Sequence, residues 1–437
     1  MTWSTAGTLV LGLLAIVIVA QLLGAAARWL GQPAVIGEIL GGILLGPTLF
    51  NGELTAFLFP ADVRPSLKLL ADVGVCVFMF LVGLGFDRDL LHGQGRIAAS
   101  VSVSAVVVPF GLGALLASYL LDDHHTSNQV GFVLFLGTAM SVTAFPVLAR
   151  ILTDKGLIRT PIGGLALATA AVDDVLAWSM LAVVAALVGA GGEPWLLLMA
   201  LPYGAALLWV VRPLLARWAA RSEVRDRSGG RFRGAGVLFA VAVGLWLSAM
   251  ATDAIGLHLI FGAFVFGAVM PRDGAAAVRR RALPWAERSC SVLLLPVFFM
   301  VAGLKVDLSS LNAVAYGELA LILLVAIGGK FLGAFVGARV NGVRARHSAV
   351  LAILVNTRGL TELIVLSVGL EIGVLDQRLY SLMVVMALVT TAMAGVLLRF
   401  VYPEERVKQD LAALDSASES GTLAEKVASP LSSERPS

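Results

Sequence analysis

The stretch Val77-Phe-Met-Phe-Leu-Val-Gly83-Leu84-Gly-Phe-Asp87-Arg-Asp-Leu-Leu91 returns 220 residues later as Val297-Phe-Phe-Met-Val-Ala-Gly303-Leu304-Lys-Val-Asp307-Leu-Ser-Ser-Leu311. Each copy is an apolar run that closes on Gly-Leu-x-x-Asp, the pattern of a helix leaving an apolar phase. A weaker echo links Gly37, Gly42 and Pro47 to Gly262, Gly267 and Pro271. A chain that repeats helix endings across half its length is built from two related halves.

The runs between these motifs set the phase. Of the 437 residues 58% are apolar and only 14% charged, against about 25% charged in a soluble domain, and mean hydropathy is +0.90. A soluble protein of this length has no interior able to hold so much apolar surface. A bilayer core needs about 20 apolar residues per helix. Runs of that kind give an all-α polytopic membrane protein of about thirteen transmembrane helices over residues 1–403, with a polar tail at 404–437 expected to be disordered. The first run, Leu9 to Ala20, lacks a basic flank and a cleavage site and reads as an uncleaved span. Cys76 and Cys290 have no metal or disulfide spacing.

The two copies of the opening motif close spans 3 and 10, an odd number apart, so they run through the membrane in opposite directions. The chain therefore reads as six helices, one linker helix and six inverted. Inverted repeats mark secondary transporters, whose sites lie near the midplane where helices are interrupted. The interruptions fall at corresponding places. Span 5 carries Ser141-Val-Thr143-Ala-Phe-Pro146, where proline breaks the backbone ladder, and span 12 carries Asn356-Thr-Arg358-Gly359-Leu-Thr361-Glu362, too polar to face lipid.

Basic residues stay on the cytoplasmic side. With the N-terminus outside, 24 of the 32 Lys and Arg fall on cytoplasmic loops and helix ends, including the runs Arg221–Arg233 and Arg279–Arg281; four (Arg64, Lys68, Lys305, Arg378) fall outside. The expected topology is multi-pass, N-terminus out and C-terminus in, in the cell (inner, plasma) membrane. The basic runs are then topology signals, and no nucleic-acid partner is expected although the net charge is +3.

Charged residues at the bilayer centre are costly and mark function. Span 6 holds Asp173 and Asp174 in succession. Helix neighbours point about 100° apart, so one carboxylate can pair with a cation of the protein while the other faces a water-filled cavity. Lys330, in Ile327-Gly-Gly-Lys330, is the natural partner. A carboxylate beside a cation can exchange a proton for Na⁺ or K⁺. Thr143 and freed carbonyls supply oxygen ligands, and Arg358 and Glu362, four apart, neutralise each other. Glu38 and Asp72 sit shallower, as gate or loop-packing groups. His258 and the pair His124-His125 read as ordinary structural residues, the pair in an outer loop with an option on pH sensing.

Six ordered motifs carry a family resemblance: Gln32-Pro33-x-x-x-Gly37-Glu38 through Gly46-Pro47, Thr143-Ala-Phe-Pro-Val-Leu-Ala-Arg150, Val-Asp173-Asp174-Val-Leu-Ala-Trp178, Gly256-Leu-His-x-x-x-Gly262, Leu-Pro296-Val-Phe-Phe, and Asn356-Thr-Arg358-Gly359-Leu-Thr-Glu362. Across residues 8–402 the chain resembles the monovalent cation:proton antiporter family, in its second, Kef-type branch. The resemblance implies a Na⁺/H⁺-antiporter-like fold with two crossed discontinuous helices. It implies a core of helices 4–6 and 11–13 moving against a dimerisation part of helices 1–3 and 8–10, a homodimer, and elevator-like alternating access. It makes Asp174 the cation and proton carrier and Asp173 its neighbour that pairs with Lys330. Asn356, Arg358, Glu362 and Glu38 become supporting residues, and the metal ion held by Asp174 and Asp173 is cargo, with no resident cofactor. Many members of that branch carry Gln-Asp here; the double acid resembles the sodium/proton exchangers of the group more than its potassium efflux members. No Gly-x-Gly-x-x-Gly opens a soluble unit after span 13, so regulation by nucleotide is not expected.

Two other readings share these residues. A proton-uncoupled K⁺ efflux channel or organic-acid symporter fits the same scaffold without coupling. An intramembrane aspartyl protease needs acids on separate helices, one in Gly-x-Gly-Asp; here the acids are adjacent, and Gly83-Leu-Gly85-Phe-Asp87 misses that spacing by one residue. The expectation is a transporter and not an enzyme.

Overall fold

The computed structural model describes residues 3–49, 52–85, 95–124, 126, 128–157, 160–188, 199–217, 233–255, 259–270, 283–309, 312–403, 405–407 and 409. The expectations on Asp87, His125, His258, Arg221–Arg231, Arg279–Arg281 and nearly all of the 404–437 tail lie outside them. The described residues form helices α1 (Trp3–Trp29), α2 (Ala34–Leu45), α3 (Glu53–Leu58), α4 (Arg64–Gly85), α5 (Gly95–Leu120), α6 (Gln129–Ser141), α7 (Phe145–Asp154) and α8 (Pro161–Val188). Next come α9 (Ala200–Ala206), which runs on through a π turn at Leu207–Val211, α10 (Arg233–Ala254), α11 (Leu259–Val269), and α12 (Leu283–Ser289), joined by a π turn at Cys290–Leu294 to α13 (Leu295–Leu304). The last four are α14 (Ala313–Val340), α15 (Ala345–Val355), α16 (Leu360–Glu371) and α17 (Gln377–Val401).

Seven of these stretches are long and apolar enough to cross a membrane: Thr5–Trp29, Arg64–Leu84, Arg96–Leu120, Pro161–Ala185, Ala286–Leu304, Ala313–Val340 and Gln377–Val401; shorter apolar helices accompany them. Large apolar side chains stand on their outward faces as well. On α1, Leu14 and Ile18 are 55% and 56% exposed, a surface that water would reject and lipid tails accept.

The chain divides into two compact units. The first comprises Met1–Gln21, Gly52–Phe86 and Ala182–Gly303. Its tightest contact is α4 against α11, where a Cβ on Gly83 would lie 2.1 Å from the Phe264 carbonyl and one on Gly267 2.2 Å from the Phe80 carbonyl. Helices that meet in lipid are held by packing, so small residues at the crossing let the backbones touch. Phe80 and Phe266 stack beside that crossing at 5.9 Å.

The second unit comprises Leu22–Asn51, Asp87–Leu181 and Leu304–Ser437, and it holds both acids of α8. Its spine is α14 against α5. A Cβ on Gly333 would lie 2.4 Å from the Ser104 carbonyl, so glycine there lets α14 press its nearby Lys330 toward α5 and α8. Asn128, Asn312 and Asp376 cap α6, α14 and α17, their side-chain oxygens accepting from Gly131, Ala315 and Leu379 N–H at 2.8, 2.9 and 2.7 Å.

Both expected interruptions are present. After Ser141 the backbone runs extended through Val142 and Ala144 before α7 begins, with Pro146 in the first turn of α7. Proline is tolerated there because that N–H has no helical acceptor. The chain break thus precedes the proline instead of following a kink in mid-helix. The second break spans Asn356 to Gly359, between α15 and α16.

Candidate functional site

The breaks expose four helix ends inside the unit, and charged side chains meet them. Asp173 and Asp174 of α8 are 0% and 2% exposed, and Lys330 and Arg358 are fully buried. At the C-terminal end of α6, the carbonyls left without helical donors are taken by these cations. Arg358 donates from Nη1 to the Ala139 carbonyl at 2.8 Å and from Nη2 to the Met140 carbonyl at 2.6 Å, and Lys330 Nζ donates to the Ser141 carbonyl at 2.5 Å. The negative end of a half-helix is the place for cations.

Asp173 is pinned from three sides. Lys330 Nζ lies 3.3 Å from its Oδ2, the Thr143 hydroxyl donates to the same oxygen at 2.6 Å, and the Ser102 hydroxyl of α5 donates to Oδ1. Thr143 Oγ1 also lies 3.2 Å from the Val355 carbonyl at the end of α15, and Ala144 N–H donates to the Thr357 carbonyl at 3.1 Å. The two breaks are therefore joined to each other as well as to Asp173.

Asp174 is treated differently. It faces the Phe145 N–H, in the first turn of α7, and the Thr361 hydroxyl, in the first turn of α16. Two half-helix N-termini thus bring partial positive charge to a carboxylate. Yet among the described residues Asp174 Oδ1 has no hydrogen-bond partner, and neither do Thr361 Oγ1, Asn356 Oδ1 or Glu362 Oε1. Buried polar atoms are nearly always paired, so unpaired oxygens around a break are acceptors waiting for a donor or a cation.

The remaining expected residues fall as follows. Arg358 and Glu362 form a buried ion pair at 2.5 Å, but Arg358 stands in the break before α16, which leaves its guanidinium free to reach back to α6. Thr391 of α17 fixes that position, accepting from Arg358 N–H at 3.0 Å and donating to the Arg358 carbonyl at 2.5 Å. Glu38 sits on α2 with Oε1 beside Gly24 of α1 and takes part in none of the contacts just described. Ser102 and Thr391 carry no sequence signal that separates them from the other hydroxyls of apolar helices.

The arrangement is a buried carboxylate pair in which one member is neutralised by the protein and the other is left with a free oxygen at a helix break. It suits reversible binding of a small cation or a proton. The chain matches, over residues 14–402, the family of transmembrane sodium/hydrogen exchangers. It is 37% identical over 402 residues to the Na(+)/H(+) antiporter NhaS4 of Synechocystis, covering 90% of this chain and 96% of that one. It is 33% identical to K(+)/H(+) antiporter 1 of Saccharomyces cerevisiae over 89% of this chain and 46% of that protein. Cation/H(+) antiporter 20 of Arabidopsis thaliana is 37% identical over 90% of this chain and 48% of its own length. The chain thus spans about half the length of the last two relatives. Among solved structures, the sodium proton antiporter MjNhaP1 of Methanocaldococcus jannaschii shares the fold at a TM-score of 0.64, with 17% identity over 93% of this chain and 99% of that one.

Proposed function

This chain belongs to the sodium/hydrogen exchanger family and is a multi-pass antiporter that exchanges a monovalent cation for protons, and we propose that Asp174 is the group that carries both. The observation that carries the reading is the contrast within one pair: Asp173 has three donors, while buried Asp174 keeps an unpaired Oδ1. As a carboxylate Asp174 binds Na⁺ or K⁺; when it takes a proton, the cation leaves. The two ligands compete for one group, which couples their movements without any covalent step.

Asp173, Thr143 and Lys330 are positioning residues in this scheme. Lys330, with Thr143 and Ser102, pins Asp173, so the unpaired oxygen falls to Asp174. Asn356, Arg358 and Glu362 shape the break, and Glu38, on α2 beside Gly24 of α1, is a supporting residue outside it. Helices α5–α8 and α14–α17 form the moving core, α1–α4 and α10–α13 the dimerisation part of a homodimer, and the cell membrane holds the chain N-terminus out and C-terminus in. The lysine and arginine sorting supports that orientation.

The test is proton flux in proteoliposomes loaded with a pH dye, with Na⁺, K⁺ and Li⁺ added in turn. Wild type should give a cation-triggered pH change, and Asp174→Asn should give none while remaining folded. Near-normal exchange by Asp174→Asn removes the mechanism.

A further inference from the structure

A second group of titratable side chains lies in the second unit, away from the α8 acids. Glu318 precedes Lys330 by twelve residues on the same unbroken helix, about 18 Å along its axis at 1.5 Å per residue. Here α5 ends and α6, α14 and α17 begin. His124, in the α5–α6 turn, is buried with its ring stacked 6.5 Å from Phe132 of α6. Its Nδ1 lies 2.6 Å from Asp376 Oδ2 at the cap of α17, and its Nε2 lies 3.6 Å from Glu318 Oε2 of α14. Arg378 of α17 holds the other Glu318 oxygen at 2.7 Å. On the turn itself, Asp122 and Asp123 are exposed.

We propose that this cluster is a second proton-binding site, not transported, in which His124 senses proton concentration at this end of the unit. Two carboxylates and one guanidinium leave the cluster one positive charge short of neutrality, and an imidazolium supplies it. The tautomer argument agrees. A neutral ring that donates from Nδ1 to Asp376 turns the lone pair of Nε2 toward a carboxylate oxygen, and among the described residues both Nε2 and Glu318 Oε2 lack hydrogen-bond partners. Protonation turns that confrontation into a donor facing an acceptor.

Burial opposes the charged ring, but the hydrogen bond to Asp376 and the charges of Asp376 and Glu318 outweigh it, and the His124 pKa stands above the ordinary value. Burial likewise works against the Asp376 charge, yet the His124 hydrogen bond and the Leu379 N–H hold its pKa below the usual range. A group whose pKa is raised by folding gives its full stabilisation below the unfolded value of about 6.5 and loses it as pH rises through the folded value. The protonated latch ties the α5–α6 turn to the second turn of α14 and the N-cap of α17. Those helices also carry Ser102, Ser141, Lys330 and Thr391, so this end of the unit tightens in acid and loosens in alkali.

The experiment is thermal melting of purified protein in detergent from about pH 5.5 to about pH 9, which brackets histidine titration. It needs no transport, so a silent flux assay with an intact melting response counts against the antiport reading alone. Wild type should show a fall in Tm on the alkaline side that His124→Gln lacks. Glu318→Gln removes one of the two carboxylates and should move that fall to lower pH. Equal pH slopes in wild type and His124→Gln overturn the proposal. Should His124→Gln fail to fold, an unmoved transition in Glu318→Gln overturns it instead.

Discussion

Replacing Lys330 with methionine isolates what the buried ammonium does. Methionine keeps most of the stem volume, so the change is one of charge and hydrogen bonding and leaves little cavity. Removing one partner of a buried ion pair costs about 3–5 kcal/mol, because the other charge stays buried. Here Asp173 keeps the Ser102 and Thr143 hydroxyls, so the lower end, about 3 kcal/mol, is expected. The lost bond to the Ser141 carbonyl is part of that figure. In the double variant Asp173→Asn with Lys330→Met no charge is left behind. Only neutral hydrogen bonds at about 1 kcal/mol each are then missing, and roughly 2 kcal/mol should return. Melting in detergent should place Lys330→Met about 3 °C below wild type, with the double variant between them. A single variant within about 1 °C of wild type, or a double variant that melts below the single, would refute the claim that Lys330 neutralises Asp173.

Two further substitutions probe the same frame. Ser102→Ala removes one of three donors to a buried carboxylate and should cost about 1.5–3 kcal/mol, read as a smaller drop in Tm than Lys330→Met; an unchanged Tm would mean that Ser102 does not serve Asp173. Arg358→Lys keeps the charge but cannot reach two carbonyls and Glu362 together, so it should melt well below wild type and lose exchange. Wild-type behaviour would show that charge alone suffices at the end of α6.

The sequence exposes charge inside apolar runs, because such residues are expensive in lipid and stand out. Asp173, Asp174, Lys330 and the Arg358–Glu362 pair were legible for that reason, and Pro146 marked a break that begins a few residues earlier, at Val142. The spacing of the acids left open which of them meets Lys330, because successive helix positions diverge by about 100°; the family resemblance singled out Asp173, which is the acid Lys330 touches. Hydroxyls were silent. Ser100, Ser102 and Ser104 alternate along α5, yet Ser104 bonds its own helix at the Ser100 and Val101 carbonyls while Ser102 reaches Asp173. The His124 cluster was out of reach as well, since its members lie far apart in sequence and meet only where three helices begin.

The contacts between the two breaks have one more consequence. Thr143 and Ala144 meet Val355 and Thr357, Arg358 grips the end of α6, and Thr391 clamps Arg358 from α17. A junction bound at so many points resists being remodelled one half at a time. In the proposed scheme the incoming ion meets the same oxygens whichever face of the bilayer the junction opens toward. Such a device has no preferred direction built into its chemistry, and the gradients on either side decide which way it runs.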